Sequence, residues 1–160
     1  MENQTQMNRA MLSIIKKHRK DYTQKLIEEI GKGIYRYERY GVHFSVAIGC
    51  ALPVVNLENF SNMIRQTDSF LILEENLCVV IFEGAEHSGG LKAASNMLSQ
   101  FEKFHFSDQL YLSFIDGSEF EDTERLVNKL INKLEHALKD ELHNVLLDAN
   151  DDDFNRKSYL

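Results

Sequence analysis

The chain has 160 residues, a formal charge of −7 and 43% hydrophobic residues, enough for a single domain with a buried core. Its surplus of carboxylates repels polyanions, which argues against general DNA or RNA binding. No run approaches the roughly 18 apolar residues of a membrane helix, and Met1-Glu2-Asn3-Gln4 opens no apolar signal region, so a cytoplasmic protein without membrane insertion is expected.

The charge is unevenly divided. Residues 1–40 carry nine Lys and Arg against five Asp and Glu, while residues 41–160 carry nine against twenty. Met7, Met11, Ile14, His18, Tyr22, Leu26, Ile27 and Ile30 recur at helical spacing, with the charges between them. Such a stripe needs a cover. It can pack on its own domain or on a second copy, and a homodimer through this arm is the expectation, with Gly31 and Gly33 as a hinge. The basic run Lys16-Lys17-His18-Arg19-Lys20 reads as a solvated helix face.

Downstream, Phe44–Cys50 predicts a first strand, and residues 56–64 predict a helix with Leu57, Phe60, Met63 and Ile64 on one side. Ser69–Leu73 and Leu77–Phe82 are strand-like runs around the polar break Glu74-Glu75-Asn76, which predicts a hairpin. After Ser88 a helix follows with Leu91, Ala94, Met97, Leu98, Phe101 and Phe104 inward; Leu110–Phe114 alternates as a strand. Ser118-Glu119-Phe120-Glu121 has the form of a capping box for a helix whose apolar face is Leu126, Val127, Leu130, Ile131, Leu134 and Leu138. Asn144–Leu147 closes as a short strand. The expected fold class is α+β, an antiparallel sheet of about five strands with packed helices and a long N-terminal helix, the hairpin at the sheet centre. The expected divisions are a helical arm over 1–40, a body over 41–148 and an acidic flexible tail over 149–160.

Cys50 and Cys78 lie in or beside apolar runs and read as small buried hydrophobes; neither zinc spacing nor a disulfide framework is present. His87, His105, His136 and His143 are scattered along the chain, so no metal site and no cofactor is expected. Glu74 and Glu75 with Asp68 read as a solvated turn, and Gly89-Gly90 reads as the start of a helix because no Lys-Ser/Thr follows it.

One motif is left over. Arg65-Gln66-Thr67-Asp68 stands five residues before the turn positions Glu74, Glu75, Asn76, Leu77 and Cys78. This spacing resembles the central hairpin of the GGDEF (diguanylate cyclase) family. Arg39-Tyr40-Gly41 leading into an apolar run is similar to the family's entry to its first strand, and Ala137-Leu138-Lys139 with His143-Asn144-Val145 is similar to its closing helix and last strand. The resemblance spans about Tyr35 to Leu147 and implies a ferredoxin-like palm in a bacterial signalling module.

The resemblance also implies what is missing. Family members hold divalent metal with one carboxylate after the first strand and another in the turn, and the turn glycines admit GTP. Here Gly49-Cys50-Ala51-Leu52 occupies the first place, Glu74 and Glu75 replace both glycines, and Asn76 and Leu77 replace the acidic pair. Only about fifteen positions separate Cys50 from Arg65, where the family builds its guanine pocket. Phosphoryl transfer without metal ligands leaves the transition-state charge unsupported, so no catalytic residue is assigned. In the family the Arg-x-x-Asp motif reads cyclic di-GMP, the guanidinium matching guanine's acceptors and the carboxylate its donors. Two readings stay open: a catalytically inactive receptor of cyclic di-GMP through Arg65 and Asp68, and a ligand-free scaffold for dimerisation or for a signalling protein partner.

Overall fold

The computed structural model describes residues 3–84, 86–105, 107–120 and 122–150. Helix α1 spans Gln4–Tyr40. Asn3 starts it with a capping box, its Oδ1 accepting from Gln6 N (2.8 Å) while Gln6 Oε1 accepts from Asn3 N (3.1 Å). Gly41 ends it with φ +69°, a left-handed cap that a side chain would strain. Strand β1 is Phe44–Leu52, β2 Ser69–Glu74, β3 Leu77–Glu83, β4 Gln109–Asp116 and β5 Leu146–Asp148; α2 spans His87–Phe104 and α3 Thr123–Lys139.

Five strands form one sheet in the order β2-β3-β1-β4-β5. All neighbours are antiparallel except β5, which runs parallel to β4. The β2–β3 hairpin therefore lies at one edge, not at the centre, which belongs to β1. Period-two alternation divides the sheet between two cores. Val46, Ile48, Cys50, Val79 and Ile81 join α1 and α3; Ala47, Ala51, Cys78, Val80 and Phe82 join α2 and the short 3-10 helix Leu57–Met63. A sheet covered on both faces explains why β1 and β3 read as unbroken apolar runs. Among the described residues no helix is long and apolar enough to cross a membrane.

Four expectations need correction. The α1 stripe is covered by the chain itself: Met11, Tyr22, Leu26 and Ile30 are buried in the same core as α3, and Ile15 is buried where Ile14 was expected, Ile14 being 41% exposed. The argument for a dimer from an uncovered stripe thus lapses. Gly31 and Gly33 lie inside the continuous helix; a Cβ on Gly33 would stand 3.0 Å from the Phe44 ring, so this glycine permits close packing and is no hinge. Helix α3 is capped by Asp122, whose carboxylate accepts from Glu124 N (3.0 Å), while Ser118 lies in the preceding 3-10 turn; Glu121 of the expected capping box is outside the described residues. Finally, order continues past Asp148. Ala149 is buried and its N–H donates to Phe114 O (2.6 Å), and Asn150 Oδ1 accepts from Asp116 N (2.7 Å). Residues 151–160 lie outside the described residues.

Candidate functional site

The loop leading into β2 brings Arg65 and Asp68 together. Asp68 N–H donates to Arg65 O (3.0 Å), closing a turn that places the carboxylate under the arginine. Asp68 Oδ2 accepts from Arg65 N (3.0 Å) and Arg65 Nε (3.2 Å); Oδ1 accepts from Arg65 Nη2 (3.0 Å) and Glu83 N (3.1 Å). Arg65 Nη2 also donates to Glu83 O (2.7 Å). Each carboxylate oxygen already takes two hydrogen bonds, which fills its capacity. The Asp68 side chain is 2% exposed and that of Arg65 is 59% exposed. The pair is a staple between the loop and the end of β3. Arg65 also lines a cleft of about 580 Å³ whose opposite wall is Asn96, Ser99 and Gln100 of α2.

The turn positions are engaged to different degrees. Glu74 accepts from Tyr22 Oη (2.6 Å), and burial together with this partner pushes the Tyr22 phenol above its ordinary range, so the hydroxyl stays a donor. Glu75 projects into solvent while its carbonyl accepts from Leu57 N (3.0 Å). Asn76 is buried, with Nδ2 donating to Ala51 O (2.9 Å) and its carbonyl accepting from Ala51 N (3.0 Å). Leu77 and Cys78 are buried in opposite cores. Met11 and Tyr22 of α1 thus close over the turn, and β1 is stitched to its far side.

Strand β1 carries no carboxylate, and Gly49 packs against Leu112 and Leu110. Burial raises the Cys50 thiol and pushes Cys78 up to about 12. Both remain protonated at neutral pH, which suits a structural role. The double glycine belongs to the first turn of α2: a Cβ on Gly90 would meet Ser45 Oγ at 2.5 Å, so the residue lets the helix approach the sheet.

Sequence reasoning passed over a constellation at the end of the sheet opposite the Glu74–Asn76 turn. His87 begins α2, Asp116 ends β4, Glu119 lies in the following 3-10 turn and Asp148 ends β5. His87 Nε2 is 3.1 Å from Asp148 Oδ2 and Nδ1 is 3.6 Å from Asp116 Oδ2. Asp116 and Glu119 are three residues apart, but His87 and Asp148 are distant from them in sequence and arrive only through the packing of α2 on the sheet and the pairing of β5 with β4, which no local spacing signals. The other two described acid partners of the histidines singled out are local, His105 with Asp108 and His136 with Asp140.

An apolar cleft of about 370 Å³ lies between the first 3-10 helix and α2, lined by Leu57, Phe60, Phe101 and Phe104, the last 69% exposed.

Neither a family model nor a curated protein matches this sequence. Among solved structures, the chain is similar to a microbial GGDEF domain described in a novel interaction mode with bis-(3′,5′)-cyclic di-GMP. The TM-score is 0.62 at 9% identity, over 76% of this chain and 88% of that one. At that identity the likeness concerns the fold, and the five-stranded sheet with packed helices and a long N-terminal helix is consistent with it. The chain is folded as a GGDEF-like domain.

Proposed function

We propose that this chain is a catalytically inactive GGDEF-like signalling module that acts in the cytoplasm by contact with another protein and turns over no nucleotide. The observation that carries the reading is the closed turn: Glu74 is held by Tyr22, Asn76 is buried against Ala51, and β1 offers no carboxylate beside them. Phosphoryl transfer from GTP needs carboxylates that hold metal over the triphosphate and backbone that the phosphates can reach. This turn supplies neither. The apolar cleft beside Phe104 is a surface on which a protein could act, since it is open and carries no charged wall. Homodimerisation through the α1 stripe is not part of the proposal, because that stripe is covered in cis.

A receptor for cyclic di-GMP is the second reading. It is favoured by the exposed Arg65 on its cleft and by the ligand named for the structural neighbour. It requires Asp68 to release Arg65 and the backbone of Glu83 before guanine can bind. Two measurements test the proposal. Incubation with GTP and magnesium or manganese should yield no cyclic dinucleotide above a protein-free control; product that disappears in Glu74→Ala/Glu75→Ala would overturn it. Calorimetric titration with cyclic di-GMP to near-millimolar concentration should give no binding heat, whereas saturable heat lost in Arg65→Ala establishes the receptor.

A further inference from the structure

We propose that His87, Asp116 and Glu119 form a binding site for one divalent first-row transition-metal ion. One donor atom of each lies within 4.8 Å of the other two, although the residues come from α2, β4 and the 3-10 turn after it. The distance from His87 Nδ1 to Asp116 Oδ2 is 3.6 Å, too long for a good hydrogen bond. It is close to the ~3.4 Å that separates two ligands in a tetrahedron of ~2.1 Å metal bonds.

What distinguishes the group from exposed acids is that each donor is aimed by a separate partner. His87 Nε2 lies 3.1 Å from Asp148 Oδ2, which leaves Nδ1 as the ring nitrogen facing Asp116. A histidine held this way by an outer carboxylate is the usual arrangement behind a metal-bound imidazole. Asp116 is 6% exposed, and its Oδ1 accepts from Ser118 N (3.0 Å) and Ser118 Oγ (2.6 Å), leaving Oδ2 toward His87. Glu119 Oε2 accepts from Asn150 Nδ2 (2.9 Å), and Asn150 is itself fixed by Asp116 N.

The donor set selects the ion. One imidazole nitrogen with two carboxylates suits manganese through zinc, whereas magnesium and calcium favour all-oxygen shells. Three protein ligands leave at least one position for water. Because the ligands join the start of α2 to the end of β4 and the 3-10 turn after it, the ion would brace this corner of the domain. The site lies away from the Glu74–Asn76 turn, so it stands or falls independently of the function proposed above.

The test is calorimetry of the full chain in metal-free buffer with zinc chloride, with cobalt(II) absorption reporting the ligand set. One zinc per chain with a dissociation constant below about 100 µM is expected, with a raised melting temperature. His87→Ala and Asp116→Asn should each weaken binding at least about tenfold, and Asp148→Asn, which removes only the orienting carboxylate, should do so by about tenfold with zinc stoichiometry unchanged. Glu119→Gln, at an exposed position, gives a ligand-deletion variant that leaves the fold intact. His143→Ala, at a ring that stands edge-on to Tyr111 and belongs to no part of the cluster, should bind as the unmodified chain does. No saturable binding up to about 1 mM, an undiminished affinity in both His87→Ala and Glu119→Gln, or an equal loss in His143→Ala would overturn the proposal.

Discussion

Two polar clusters differ in how far the fold engages them. Around the β2–β3 hairpin, Arg65, Asp68, Glu74 and Asn76 are the residues a motif reader selects, and the fold holds each of them: Asp68 by four hydrogen bonds, Glu74 by Tyr22, Asn76 by Ala51. At the start of α2, His87 and Asp116 face each other across 3.6 Å without a good hydrogen bond, and Glu119 is exposed beside them. A group whose partners are all internal contributes stability, while one with spare lone pairs can bind something else. The contrast teaches that residue types alone do not reveal use, and that acceptor capacity has to be counted in the folded chain.

The largest way to break the contrast is to remove α1. If the hairpin end is closed by Tyr22 and Met11 as part of one core, a chain beginning near Tyr35 should lose cooperative folding and not survive as a smaller monomer, because α3 and β1 would bare the residues that Met11, Ile15, Leu26 and Ile30 cover. Circular dichroism with thermal melting checks this; a sharp transition in the truncated chain would make α1 an arm after all.

Within the staple, the two members should differ. Asp68→Ala strands Arg65 N and Glu83 N, and should destabilise by about 2–4 kcal/mol. Arg65→Ala removes a side chain that is more than half in water, and should lose only about 0.5–1 kcal/mol. Denaturant unfolding of both variants sharpens the comparison; equal losses would mean that the ion pair, and not the carboxylate's hold on the backbone, ties the corner. The smallest effect belongs to the cluster at the start of α2. Without metal, His87→Ala should change stability by less than about 1 kcal/mol, since the ring is 38% exposed and its loss leaves Asp116 bonded to Ser118. A larger loss in metal-free buffer would show that the fold holds this cluster too.

Much of the architecture was legible. The order of strands and helices, the long first helix and the hairpin all follow from periodicity, as do the inward faces of α2 and α3, apart from Phe104, which is exposed because α2 ends there beyond its cover. Phe70 is half-buried since β2 is an edge strand. The 3-10 helix Leu57–Met63 took the place of an expected α-helix: its apolar residues and Asn56 cap are present, yet the segment spans only seven residues, too short for α-helical propagation to dominate. The Arg65–Asp68 pairing was legible as a motif, but the saturation of its carboxylate was not. Its saturation depends on Glu83, which no local pattern attaches to it.

The sequence by itself determined the elements, because caps, alternation and helical spacing act over a few residues, and each apolar stripe must be buried somewhere. It did not determine which surface buries a stripe or whether a polar group retains a free lone pair. Those outcomes rest on contacts between distant segments: α1 lies on α3 and not on another copy, Asp68 bonds the end of β3, and His87 meets Asp116 only once α2 has docked on the sheet through Gly90. Burial sets where side chains go, but long-range packing sets which of their hydrogen-bonding positions are already taken.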